Sequence, residues 1–345
     1  MFNRFLWKKH YKQSKFLIWT FIFVSLFYPI NIYFQIGRLQ SELQLVPITG
    51  HHYYFNASYW ISIIQILCLV LLATIFQGRE RSNQSIDFAL SLPLKRKDIL
   101  LSKWSFGVVT IVAVNVLTML ITTPLVYYSI LSNYLPLHTI FLYFFASTIT
   151  LIGIYTLCLL VGQIVGNQYT QLFASAILLL FPFFFWILAY MGFMVHYENL
   201  FDITKITFHF EGLILSLMFT TTMPVFLVNL DLGAMLTANT PVREEPFRFF
   251  LKALFTPALI TVLYLSLIGL FSKKVNSENN GKLLVYKQLN KIIKIAIVLC
   301  SYLIGGWVFA GFIFEKTAPV LFYHAGGIIF ASITYFVIWM RNRKK

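Results

Sequence analysis

Long apolar runs separated by short polar connectors set the pattern of this chain. The runs extend from Phe16 to about Gln35, Tyr59 to Phe76, Ser105 to Tyr128, His138 to Val165, Tyr169 to Phe193, Phe250 to Phe271, Ile292 to Phe312 and Pro319 to Met340. About 20 apolar residues at 1.5 Å rise cross the ~30 Å hydrocarbon layer. In lipid a helix satisfies its own backbone polar groups, so each run is expected to be a helix. The pattern predicts an all-α polytopic membrane helix bundle, with about eight transmembrane spans. The first run is too long for a signal-peptide core and lacks a small-residue cleavage site near its end, so it is expected to stay as an uncleaved span.

A further apolar stretch, Leu213 to Val228, is a candidate ninth crossing. Charge decides against it. With eight spans, the inner segments 1–15, 78–104, 272–294 and 341–345 hold five, six, six and four of the 27 Lys+Arg residues. The outer side then carries Arg38, Lys205, Arg243, Arg248 and Lys316. A ninth crossing would move the last basic segments outside and destroy the inward bias of positive charge. Residues 213–228 are therefore expected to form a re-entrant or membrane-surface hairpin within an outer segment, 196–249, with both termini cytoplasmic. The chain is expected to form one membrane domain, 1–345. Its first 15 residues place Arg4, Lys8, Lys12 and Lys15 on one helical face and Phe2, Phe5 and Leu6 on another. They suit a helix lying at the membrane surface or, as the alternative, a basic tail.

Composition agrees. The 345 residues are 59% hydrophobic and 11% charged, with mean hydropathy +0.76, whereas soluble domains run about 45–50% apolar and about 25% charged. The net charge of +15 falls in the connectors, which fits anionic lipid headgroups rather than nucleic acid. Cys68, Cys158 and Cys300 lie far apart inside apolar runs, and neither a disulfide framework nor a metal site follows from their spacing.

One connector is more than a linker. Gly78 to Trp104 carries Arg79, Arg81, Lys95, Arg96, Lys97 and Lys103, and its middle is amphipathic. Ile86, Phe88, Ala89, Leu90 and Leu92 supply apolar surface near helical spacing, Pro93 stops that helix, and Asp98 can cap the next one. Phe88 and Leu92 lie four apart on one face. A structured apolar ledge ringed by cations suits docking of a soluble partner; the alternative is a basic loop that simply obeys charge bias.

The string Glu80-Arg81, Ile86-Asp87, Leu90-Ser91-Leu92-Pro93, Lys95-Arg96-Lys97-Asp98-Ile99-Leu100 and Lys103 resembles the loop after the second span in permeases of the ABC-2 type transporter family. Ser272-Lys273-Lys274, Glu278 and Gly281-Lys282 resemble a basic loop in a Gram-positive subset linked to cell-envelope stress. The resemblance implies an ATP-driven exporter subunit, acting on peptides, antimicrobials or lipid-like molecules. It implies dimerisation with itself or a sister permease, and contact with a separate ABC ATPase subunit through Glu80, Ile86, Phe88, Leu92, Lys95, Arg96 and Lys97. ATP is expected in that partner, because Gly281-Lys282 is followed by Leu283 and position 276 is Asn, so this segment is no phosphate-binding loop.

Catalytic and metal readings compete with this one. Glu244-Glu245 with Arg248 follow Pro241 in a polar connector, and His51-His52 are adjacent residues that point apart on an extended chain, so no catalytic or metal assignment is made. His324, within the last span, suits helix packing. Gln65, Asn115, Thr118 and Gln163 are polar positions inside spans, costly in lipid unless they face protein or water. They either line a translocation path or join helices by hydrogen bonds. The competing classes are a membrane-embedded protease or acyl transferase, which would need clustered catalytic groups at one depth, and a membrane sensor or scaffold.

Overall fold

Among the described residues the apolar runs fold into eight long helices: α1 (Arg4–Leu45), α2 (Tyr59–Thr74), α3 (Arg96–Tyr127), α4 (Leu137–Ile164), α5 (Gln168–Tyr197), α6 (Glu244–Ser272), α7 (Lys287–Val308) and α8 (Pro319–Arg343). The computed structural model describes residues 4–45, 59–83, 96–133, 137–197, 244–272, 287–313 and 319–343. Residues 213–228, most of the outer segment and the middle of the basic loop lie outside the described residues. Among the described residues seven helices are long and apolar enough to cross a membrane, and α6 contributes a shorter apolar stretch, Pro257–Phe271. The chain is an all-α, multi-pass membrane bundle.

Boundaries differ from the sequence reading in two places. Helix α1 runs unbroken for 42 residues, roughly 60 Å, and joins the basic N-terminal turns to the first span. The face holding Leu6, His10 and Ser14 is buried, and Trp7 meets Phe106 edge-on at 5.4 Å. The first turns of α1 are thus packed on protein. Helix α6 begins at Glu244, so Glu244-Glu245 lie in its first turn rather than in a connector.

The chain forms two compact units. The first comprises Met1–Leu179 and Phe219–Val285. Helix α4 is central to it, touching α2, α3 and α6, with 78% of its spanning window buried in protein. Phe21, Leu69, Phe76, Ile111, Leu151, Ile154, Tyr155 and Val161 fill a core toward the loop end, and Tyr28, Ile32, Val126, Leu131 and Phe144 fill a second core toward the other. Small residues set the closest approaches. A side chain at Gly107 would overlap the Tyr155 ring, and one at Gly162 would come within 2.6 Å of Gln77 and Gln171. Gln171 uses that closeness, donating its amide to the backbone oxygens of Ala73 and Cys158 at 3.3 and 3.1 Å.

The second unit comprises Leu180–Met218 and Tyr286–Lys345. Helices α7 and α8 run antiparallel along a glycine seam. A side chain at Gly305 would lie 2.5 Å from the Gly326 carbonyl oxygen, and the reverse holds at Gly326. Tyr302 lies over Gly327 and Tyr323 over Gly306. Close backbone approach of this kind is how helices gain dispersion contact where lipid removes the hydrophobic drive.

Candidate coupling site

The base of the basic loop is built by the last turns of α2. A five-residue π-helical turn, Ile75–Arg79, leads into Glu80–Ser82. The extra residue of such a turn shifts the register of the helix face that follows. It places Glu80 and Arg81 side by side, both buried, facing different neighbours.

Glu80 faces α3 and α1. Its Oε2 accepts from Lys103 Nζ at 2.5 Å and its Oε1 from Lys9 Nζ at 2.9 Å. Lys103 is as buried as Glu80, whereas Lys9 is partly exposed. Arg81 faces the end of α4. Its Nη1 donates to the backbone oxygens of Gln163 and Val165 at 3.2 and 2.7 Å, and its Nη2 to Gln163 Oε1 at 3.5 Å. The last carbonyls of a helix have no intrahelical donor and carry partial negative charge, so a guanidinium there satisfies both needs. Tyr155 Oη donates to the Lys103 carbonyl at 2.9 Å, and Trp104 Nε1 to Thr156 Oγ1 at 3.0 Å, fastening α3 to α4.

These bonds define what the site can do. The loop leaves α2 just after Ser82 and returns at Arg96. The Glu80–Lys103 pair therefore joins its two feet, while Lys9 and Arg81 tie the same point to α1 and α4. Burying such charges costs several kcal/mol per ion, repaid only by good geometry and full partnering. Opening the Glu80–Lys103 pair takes away the carboxylate that faces the buried Lys103 ammonium, so the clamp resists partial opening. His10, buried between Phe76 and Phe106 at ring distances of 5.2 and 5.9 Å, covers the cluster's apolar side.

The expected contact residues divide. Glu80 is in the cluster. Ile86, Phe88, Leu92 and Lys95 lie outside the described residues. Arg96 begins α3 and Lys97 is exposed in its first turn. The polar span residues are bonded to different partners. Gln65 Nε2 donates to Ser25 Oγ at 2.8 Å, joining α2 to α1, and Asn115 Nδ2 to Thr148 Oγ1 at 3.0 Å, joining α3 to α4. Thr118 bonds within its own helix, to the Val114 oxygen at 2.6 Å. Gln163 belongs to the Arg81 contact. The sequence reading did not single out Lys9, Tyr155 or Gln171; Lys103 entered it as a loop cation and as the last residue of the family-like string. The usable signals were that string, which holds Glu80-Arg81 and Lys103, and Glu80's sign among cations.

Fold and site define a multi-pass helical membrane protein whose second and third helices are locked together at the foot of a basic loop. Comparison with known proteins gives that class its family. A model described as "ABC-2 family transporter protein" matches residues 7–275, which takes in α1 to α6. The chain belongs to this family and is a membrane permease of an ABC transporter. It is similar to "Probable ABC transporter permease YtrD" of Bacillus subtilis (strain 168), 24% identical over 297 residues, with 84% of this chain and 81% of that protein covered. It is also similar to "Probable ABC transporter permease YtrC" of the same organism, 27% identical over 239 residues, covering 66% of this chain and 64% of that one. No solved structure matches.

Proposed function

We propose that this permease couples ATP hydrolysis by a separate ABC ATPase subunit to export of a substrate across the cell membrane. The observation that carries the reading is the buried Glu80–Lys103 pair with Arg81 on the end of α4, joining both feet of the loop that would receive the ATPase. A push on residues 86–92 reaches α1, α3 and α4 through short, directional bonds instead of being lost in loop motion. Phe88 and Leu92 are the apolar anchors of that contact, and Lys95, Arg96 and Lys97 steer toward an acidic rim. Both termini and the loop are cytoplasmic, and exposed Lys8, Lys12 and Lys15 contact anionic headgroups. Two permease chains, identical or sister, form the working unit. The substrate path runs along Gln65, Asn115, Thr118 and Gln163, whose hydrogen bonds open as the helices move.

The test adds the purified ATPase subunit to inverted and right-side-out vesicles holding wild-type or Phe88→Ala/Leu92→Ala permease at equal expression. Burying each anchor stabilises by about 1.5–3 kcal/mol, so the variant should bind at least roughly tenfold more weakly, at about 1.4 kcal/mol per tenfold. Capture by inverted vesicles alone, lost in the variant, supports the reading. Equal capture by the variant rejects the docking site, and capture by right-side-out vesicles rejects the orientation.

A further inference from the structure

Within the second unit, two histidines from distant parts of the chain turn the same ring nitrogen toward each other. His196, at the end of α5, and His324, in the second turn of α8, bring their Nε2 atoms to 3.0 Å. Each Nδ1 is held by an oxygen. His196 Nδ1 lies 2.7 Å from the Gly192 carbonyl oxygen, and His324 Nδ1 lies 2.5 Å from the Tyr302 hydroxyl of α7. A carbonyl only accepts, so the neutral His196 ring carries its proton on Nδ1 and presents a lone pair at Nε2. His324 Nε2–H then donates to that lone pair, and Tyr302 O–H donates to His324 Nδ1. Tyr323 closes one side, its ring edge-on to His196 at 5.1 Å.

Each neutral ring has one donor and one acceptor nitrogen, and both are engaged here. Two imidazoles with converging Nε2 atoms, each oriented through Nδ1 by an oxygen, share the arrangement that metal-ligating histidines take from their outer partners. Two nitrogens each 2.0–2.1 Å from a tetrahedral ion stand about 3.3 Å apart, so the pair admits one by widening a few tenths of an ångström as the rings turn to point both Nε2 lone pairs at the ion. The His324 proton moves from Nε2 to Nδ1, which then donates to the Tyr302 oxygen, and no proton is lost. Imidazole nitrogen selects zinc, copper or nickel over calcium and magnesium, which prefer oxygen. Among the described residues no group of three or more His, Cys, Asp or Glu is gathered, so the two imidazoles are the ligands these residues supply.

We propose that His196 and His324 form a two-histidine site for a zinc-class divalent ion, with Tyr302 as positioning residue, pinning the end of α5 to α8. Tyr302 and His324 lie beyond residues 7–275, outside the stretch that matches the family. The inference does not depend on the docking site or the topology. The test titrates chelator-stripped, detergent-purified full-length permease with zinc chloride by calorimetry and with cobalt(II) by visible absorption. One zinc per chain should bind. His196→Gln and His324→Gln should each weaken binding at least roughly a hundredfold, and Tyr302→Phe about tenfold, the usual effect of losing an outer-sphere partner. As a second measurement, needing no variant, zinc but not magnesium should protect both histidines of the wild type from diethylpyrocarbonate, mapped by mass spectrometry. Zinc binding that survives in the double His→Gln variant, or equal modification with and without zinc, overturns the proposal.

Discussion

Glu80 and Lys103 sit inside a wall of side chains and are joined by opposite charge; Gly305 and Gly326 bring two backbones together with no side chain between them. The first contact belongs to a unit whose central helix is 78% buried over its span, the second to helices buried over only 17% of theirs. The difference is one of stiffness and of failure. A buried ion pair is directional and costly to half-open. A glycine seam depends on summed dispersion, falls off smoothly with separation and exposes no charge when it slips. A bundle that takes a push through a loop needs the first kind of joint at the loop's foot. Helices that shift against lipid or another subunit are served by the second.

The largest effect should come from breaking the charge joint on one side only. Lys103→Met removes the buried cation paired with Glu80 and should cost about 3–5 kcal/mol. Adding Glu80→Gln should restore most of it. Thermal unfolding in detergent measures both, and a single variant as stable as wild type would remove the contrast between the two joints. Gly305→Val should cost about 1–3 kcal/mol, the usual price of overpacking, because its side chain would meet the Gly326 carbonyl. A neutral outcome in the same assay would mean that the seam has room to spare. Smallest should be Gln65→Leu, which removes the bond to Ser25 and should cost about 0.6 kcal/mol, the average for interhelical hydrogen bonds in a membrane. A loss of transport far beyond what that small change explains would assign Gln65 to the substrate path; unchanged transport would leave it a helix fastener.

The bundle was legible because lipid admits only one use for a long apolar run. The ends were less so. Residues 4–15 and 36–45 are polar, yet rich in Lys, Gln, Glu and Leu, which propagate a helix without a break, so α1 passed both expected boundaries. Glu80 could be read as an anion among cations, but its partners stand 23 and 71 residues away, and charge pattern alone does not say which cation a fold delivers. Gly305-Gly306 and Gly326-Gly327 were visible as small-residue pairs in two spans and could have suggested the seam. The meeting of His196 with His324 across 128 residues had no local signal at all, because it follows from which helices become neighbours.

The most direct measurement is the ATP hydrolysis rate of the ATPase subunit in proteoliposomes, with and without permease. It compares wild type with Glu80→Gln/Lys103→Met, which deletes the charge joint while approximating its shape and leaves residues 86–92 untouched. The account predicts that the variant still captures the ATPase, while the permease-dependent change in hydrolysis rate seen with wild type disappears. An identical change in rate with the neutral variant would contradict it, and the clamp at the foot of the loop would then have no part in coupling.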